Sequence, residues 1–173
     1  MVGYGTDGNF VELNRNRPVE NVFDFVSYGL HPQAHAKDNR SILENLDNQP
    51  DMIASAKQFA PGKKVFVSPV TFADRNDVHD ERPSTAMAAY WLLMSMQQLS
   101  AADSISFCEL FGKAGLLDVS KDMSKPSAFY EALVTIQAFQ PLWIIKRYAG
   151  DDIIIDGLLL ENGNGERLFF KLQ

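Results

Sequence analysis

Apolar runs along this chain are short, and four of them end in polar residues able to do chemistry. Asn9-Phe10-Val11 leads into Glu12-Leu13-Asn14-Arg15, and Val22 to Tyr28 leads into Leu30-His31-Pro32-Gln33-Ala34-His35. Lys64-Val65-Phe66-Val67 leads into Ser68-Pro69-Val70-Thr71, and Ser104 to Cys108 leads into Glu109. Unbroken apolar runs of this kind read as strands buried on both faces of a parallel sheet. They predict strands over 9–13, 22–28, 64–69 and 104–109. The glycine-rich residues 1–8 show no helical period. Helical periods fill the gaps between strands. Ser41 with Glu44 reads as a capping box opening a helix to Phe59, broken near Pro50. Dense apolar positions predict helices over 84–99 and 127–139. Polar loops are expected over 31–39, 73–84 and 111–126.

After Pro141 the period changes. Trp143 to Tyr148, Ile153 to Leu160 and Arg167 to Leu172 read as strands, separated by Gly150-Asp151-Asp152 and Asn162-Gly163-Asn164-Gly165. Both separators are hairpin turn chemistry. The expected architecture is α/β, with four parallel strands and their helices over 1–140. A small antiparallel β appendage is expected over 141–173.

Four strand–helix units are half of what a closed (β/α)8 barrel needs, and such barrels run to about 250 residues. Four parallel strands alone leave two edges and an inner face open. The chain then pairs with a second copy, pairs with a complementary barrel half, or is a small open sheet complete in itself.

Composition narrows the partners. The 173 residues are 46% apolar, enough for a core, and carry a net charge of −6, which disfavours nucleic acid. A single cysteine, Cys108, excludes a disulfide framework and a cysteine-based metal cluster. No apolar run reaches the roughly 18 residues of a membrane span, and no charged-then-apolar leader precedes the first strand. A cytoplasmic location is favoured, with export undecided if residues precede Met1. Gly3-x-Gly5 and Gly163-x-Gly165 do not sit between a strand and a helix, so no dinucleotide cofactor is expected.

The chemistry gathers at the strand ends, where α/β barrels keep their active sites. Glu12 and Glu109, on the first and fourth strands, read as a catalytic carboxylate pair. They could open an ester by activating water, or cleave a glycosidic bond with retention at about 5–5.5 Å separation. Asn14 and Arg15 offer donors for a sugar acid or its lactone. His31, Gln33 and His35 alternate and face one way if extended, which suits hydroxyl binding or general-base work better than metal ligation. Ser68 lacks a nucleophile elbow and reads as a hydrogen-bonding residue.

The run Gly5-Thr6-Asp7-Gly8-Asn9-Phe10-Val11-Glu12-Leu13-Asn14-Arg15-Asn16-Arg17-Pro18 resembles the D-apionate lactonase family. So do Asp24 to Ala36 and, in the expected next place, Val67-Ser68-Pro69-Val70-Thr71. The resemblance covers roughly residues 3–173. It implies the second half of a glycoside-hydrolase-like TIM barrel followed by the start of a β-sandwich tail. It also implies hydrolysis of a sugar-acid lactone in bacterial pentose catabolism. The expectation is therefore a fragment or subunit of a carbohydrate-active lactonase, inactive as this chain alone. The alternatives are a retaining glycoside hydrolase, and a non-catalytic piece that completes another chain's barrel.

Overall fold

The computed structural model describes residues 1–20, 22–34, 37–72, 80, 82–112, 117, 126–148 and 157–171. Four parallel strands form one sheet in the order β1 (Gly3–Asn9), β2 (Phe25–Leu30), β3 (Lys64–Val70), β4 (Ser104–Phe107). The helices are α1 (Phe10–Arg15), α2 (Asn39–Glu44), α3 (Gln49–Phe59), α4 (Ala86–Gln98) and α5 (Ala128–Phe139). A second, antiparallel sheet is made of β5 (Pro141–Tyr148), β6 (Gly157–Asn162) and β7 (Arg167–Lys171). The α/β class, the parallel order and the appended β sheet are as the sequence implies. Within the described strands, the outer edges of β1 and β4 pair with no further strand.

The first strand lies earlier than its apolar run suggests. The glycine-rich segment is the strand, and Phe10 to Arg15 is a helix. Bare glycines let β1 lie close against β2: a Cβ on Gly5 would run into the Ser27 carbonyl. Spacing explains the helix. Phe10 and Leu13, three apart, share one helix face, where Phe10 sits edge-on to Tyr28 at 5.1 Å and Leu13 is 2% exposed. Six residues cannot hold a helix alone, so burial of Leu13, worth about 1.5–3 kcal/mol, has to hold α1 in place.

The other boundaries shift less. β2 starts at Phe25 rather than 22, and Val22 is exposed. The helix after it comes in two pieces, as Pro50 implies, joined by a 3-10 turn over Asn45–Asn48. Pro50 stands in the first turn of α3, where its missing N–H breaks no bond. The cap of α2 is Asp38, whose Oδ1 accepts from the Ser41 N–H at 2.9 Å, and Glu44 pairs with Arg40 instead of closing a box on Ser41. Ser127 caps α5. β4 ends at Phe107, so Cys108 and Glu109 follow the strand, and Cys108 is exposed. The expected loop residues 73–79 and strand residues 153–156 lie outside the described residues.

One face of the sheet is covered. Val26, Tyr28, Val65 and Val67, opposite one another in register, are 0% exposed within a core that includes Ile53, Ala56 and Leu93 of the helices. The other face carries Phe25 and Phe66, stacked at 4.4 Å and half-buried, with Ser27 beside them.

Candidate functional site at the strand ends

Parallel strands bring their C-terminal ends to one edge, and here that edge is set by β1 ending at Asn9 and β2 at Leu30. Backbone bonds continue the ladder past the strands: the Thr71 N–H donates to the Leu30 carbonyl and the Cys108 N–H to the Val70 carbonyl, both at 3.0 Å. His31, Thr71 and Cys108 are thereby lined up as the first residues beyond three neighbouring strands.

Asn9 is the N-cap of α1, yet its side chain caps nothing. Its Nδ2 lies 3.1 Å from His31 Nε2 instead. Asn at an N-cap ordinarily stabilises a helix by about 1 kcal/mol through a bond to the first turn. Here the amide is committed to the imidazole. With the amide nitrogen donating, Nε2 accepts, and a neutral His31 ring carries its proton on Nδ1. This partner of His31 escaped the sequence reading. The signal available was Asn9 as the first polar residue before a helical i, i+3 apolar pair.

Behind this contact lies a cavity of about 290 Å³ on the helix-covered side of the sheet. Asn9, His31, Asn45, Asn48, Gln49 and Trp91 contribute its polar lining. Gln49 donates from Nε2 to Ser95 Oγ at 2.9 Å. Gln49 Oε1, Asn9 Oδ1 and Trp91 Nε1 are buried and meet no hydrogen-bond partner among the described residues. In sequence, Trp91 reads as an ordinary core residue, and at 1% exposure it is one. Nothing in its spacing reveals the unmatched N–H.

The other expected site residues scatter. Glu12 is not at a strand end: it lies in the helix α1, exposed, three residues past the edge. Asn14 Oδ1 accepts two bonds from Arg17, at 3.1 and 2.7 Å, and so ties down the turn after α1. Arg15 is exposed in the last turn of α1. Pro32–Ala34 form a 3-10 turn, which breaks the alternation expected of His31, Gln33 and His35. Gln33 is 3% exposed and donates to the Phe72 carbonyl at 2.7 Å, latching the loop after β2 to the end of β3. His35 lies outside the described residues. Ser68 is half-buried within β3, joined to Pro69 by a cis peptide. Glu109 is exposed just beyond β4, with its carboxyl packed where Gly112 has no Cβ.

A second polar cluster braces the edge. Arg82 grips Asp80 through Nε and Nη2, the latter at 2.7 Å from Oδ2, and Arg82 Nη1 donates to the Lys37 carbonyl at 2.6 Å. The guanidinium holds the Asp80 carboxyl below the usual carboxylate range. Among the described residues, no group of three or more His, Cys, Asp or Glu side chains is placed to hold a metal ion.

The sequence model of one family, described as D-apionate lactonase, TIM barrel domain, matches residues 1–142. The match ends on the second residue of β5. Among curated proteins, none matches the chain at a significant level.

Proposed function

The chain belongs to the D-apionate lactonase TIM barrel domain family, and on that premise we propose that it opens the ring of a sugar-acid lactone at the C-terminal edge of its parallel sheet. The observation that carries this reading is the Asn9–His31 contact at the rim of the cavity. Lactone opening needs a donor for the carbonyl oxygen as it gains charge, and a base for the attacking water. His31, held by Asn9 with its proton on Nδ1, is the donor. Glu109, at the same edge, is the base. Water attacks the carbonyl carbon and gives a proton to the Glu109 carboxylate, and His31 Nδ1–H steadies the oxyanion. The ring C–O bond then breaks, the alkoxide takes the proton from Glu109, and a hydroxy acid leaves.

Glu12, Asn14, Arg15, Gln33, His35 and Ser68 have lesser parts in this proposal. Glu12 is one helical turn beyond the edge, and Asn14 and Gln33 already serve the backbone. Ser68 belongs to β3, whose C-terminal end borders the same edge. The proposed unit for this chemistry is 1–140, with 141–173 as a separate β appendage.

The test is acid release from D-apionolactone and other aldono-1,4-lactones, followed at constant pH. Glu109→Gln and His31→Gln should each lower turnover by about 100-fold or more. Unchanged turnover in either variant removes that residue from the mechanism. Cleavage of aryl glycosides with no lactone opening would replace this reaction by glycoside hydrolysis.

A further inference from the structure

We propose that the cavity behind the Asn9–His31 contact is a binding subsite for the hydroxyl groups of a small, neutral, polyhydroxylated ligand, and that it discriminates against the anion formed when a lactone opens. The proposal deepens the lactonase reading by assigning a recognition surface and a charge preference to it.

The argument begins with the inventory of unmatched atoms. Trp91 Nε1–H can only donate, whereas Gln49 Oε1 and Asn9 Oδ1 can only accept. All three residues line one cavity. Leaving such groups without partners costs about 1–3 kcal/mol each. A ligand that satisfies them has to accept once and donate twice. A hydroxyl does both, and two or three hydroxyls on adjacent carbons meet all three demands. Exchanging the oxygen and nitrogen of either amide alters which hydroxyl donates, but not the need for groups that do both.

Charge gives the second half. Among the described lining residues there is no Lys, Arg, Asp or Glu. A carboxylate entering this space would meet Trp91 Nε1–H and the His31 ring but also face the lone pairs of two amide oxygens, with no Lys or Arg in the described lining to offset its desolvation. A neutral lactone or polyol carries no such cost. Size fits a monosaccharide: about 290 Å³ is at the lower end of the roughly 300–1,000 Å³ of small-ligand pockets. The apolar remainder, including Leu30 and Met52, suits the C–H face of such a molecule. The walls come from β1, α1, β2, α3 and α4 and the short segments adjoining them, so the cavity is formed entirely within this chain.

Ribitol, D-ribonate and D-ribono-1,4-lactone are the probes. Calorimetry on the unaltered protein measures ribitol and ribonate, and Glu109→Gln is titrated with the lactone so that turnover does not interfere. Glu109 is outside the cavity lining, so Glu109→Gln should slow ring opening by about 100-fold or more and leave ribitol binding unchanged. A Trp143→Phe background leaves Trp91 as the sole indole, and its emission should change saturably with ribitol. Trp91→Phe, followed by calorimetry, should bind ribitol about tenfold more weakly, as expected for one lost hydrogen bond. Ribonate should bind at least tenfold more weakly than ribitol. Absence of saturable binding for ribitol and lactone would mean that ordered water alone fills the cavity, which overturns the subsite and leaves ring opening to stand or fall on its own assay. Equal affinity for ribonate and ribitol would overturn the charge preference.

Discussion

Asn9 and His31 meet at 3.1 Å across the ends of two parallel strands, 22 residues apart in sequence. The contact decides how a helix cap residue is used. Asn9→Ala removes no capping bond, so stability should fall by less than the roughly 1 kcal/mol that a cap ordinarily contributes. Turnover should fall by about 10- to 100-fold, because the imidazole loses its fixed orientation. Thermal denaturation and steady-state kinetics on one preparation separate the two effects. A large stability loss with proportionate inactivation would mean that Asn9 is structural.

Register at the same edge depends on one glycine. A Cβ on Gly29 would lie 2.6 Å from the Asp7 carbonyl oxygen and 3.1 Å from that of Gly8. Backbone cannot swing aside as a side chain can, so Gly29→Ala should push the end of β1 away from β2. The expected cost is about 1–3 kcal/mol, measured by urea denaturation, with loss of the Asn9–His31 contact and of activity. A variant as stable as the parent would show that β1 shifts without penalty.

Tyr28 is 0% exposed, and its hydroxyl meets no partner among the described residues. Burial pushes its phenol well above the ordinary value near 10. The raised value means that the folded protein keeps Tyr28 neutral after the unfolded chain has ionised. Its contribution is fully present below about pH 10 and is lost as pH rises beyond it. Tyr28→Phe should therefore be neutral or slightly stabilising at pH 7 and should flatten the stability loss above pH 10. Destabilisation by more than about 1 kcal/mol at pH 7 would reveal a hydrogen bond to the hydroxyl.

Asp80 behaves in the opposite sense. Arg82 lowers its pKa in the folded state, so the pair stabilises above the unfolded carboxylate value near 3.9 and the contribution is lost as pH falls through the lower folded value. Its side chain is 7% exposed and that of Arg82 25%, so solvent screens the pair little. Asp80→Asn should cost about 1–3 kcal/mol at pH 7 and reduce the steepness of acid unfolding below pH 4. An unchanged acid limb would remove this pair from the account.

The outer edges of β1 and β4, unpaired among the described strands, with the half-buried Phe25–Phe66 stack on the face opposite the helices, motivate a proposal about assembly. A second copy or a complementary chain should bury that face. Light scattering at micromolar concentration should give a mass above the monomer. A clean monomer that opens the lactone would refute this.

Much of the architecture was legible because it follows from periodicity. Val65 and Val67 announce a strand, and Ala88, Trp91, Leu92 and Ser95 mark a helix face toward the core. The first strand was not, because its evidence is the absence of side chains at Gly3, Gly5 and Gly8, which reads as a loop until a neighbouring strand is known. Glu12 was misplaced by the same error, since a helix and a strand share short apolar runs such as Phe10-Val11. His31 and Glu109 were singled out by their expected places after strands, and both do follow one, β2 and β4. Asn9, Gln49 and Trp91 were not: an unmatched polar atom is a property of three-dimensional neighbours, and no spacing encodes it.

Alternation along β2 gives its two faces separate fates. Val26, Tyr28 and Leu30 look toward the helices and the cavity, while Phe25 and Ser27 look the other way. A saturation scan of β2 should therefore resolve into two interleaved patterns, one tracking ligand affinity and fold stability, the other tracking whatever meets the face opposite the helices. Selection could retune the second set, exchanging one neighbour for another, while the pocket kept its taste for hydroxyls.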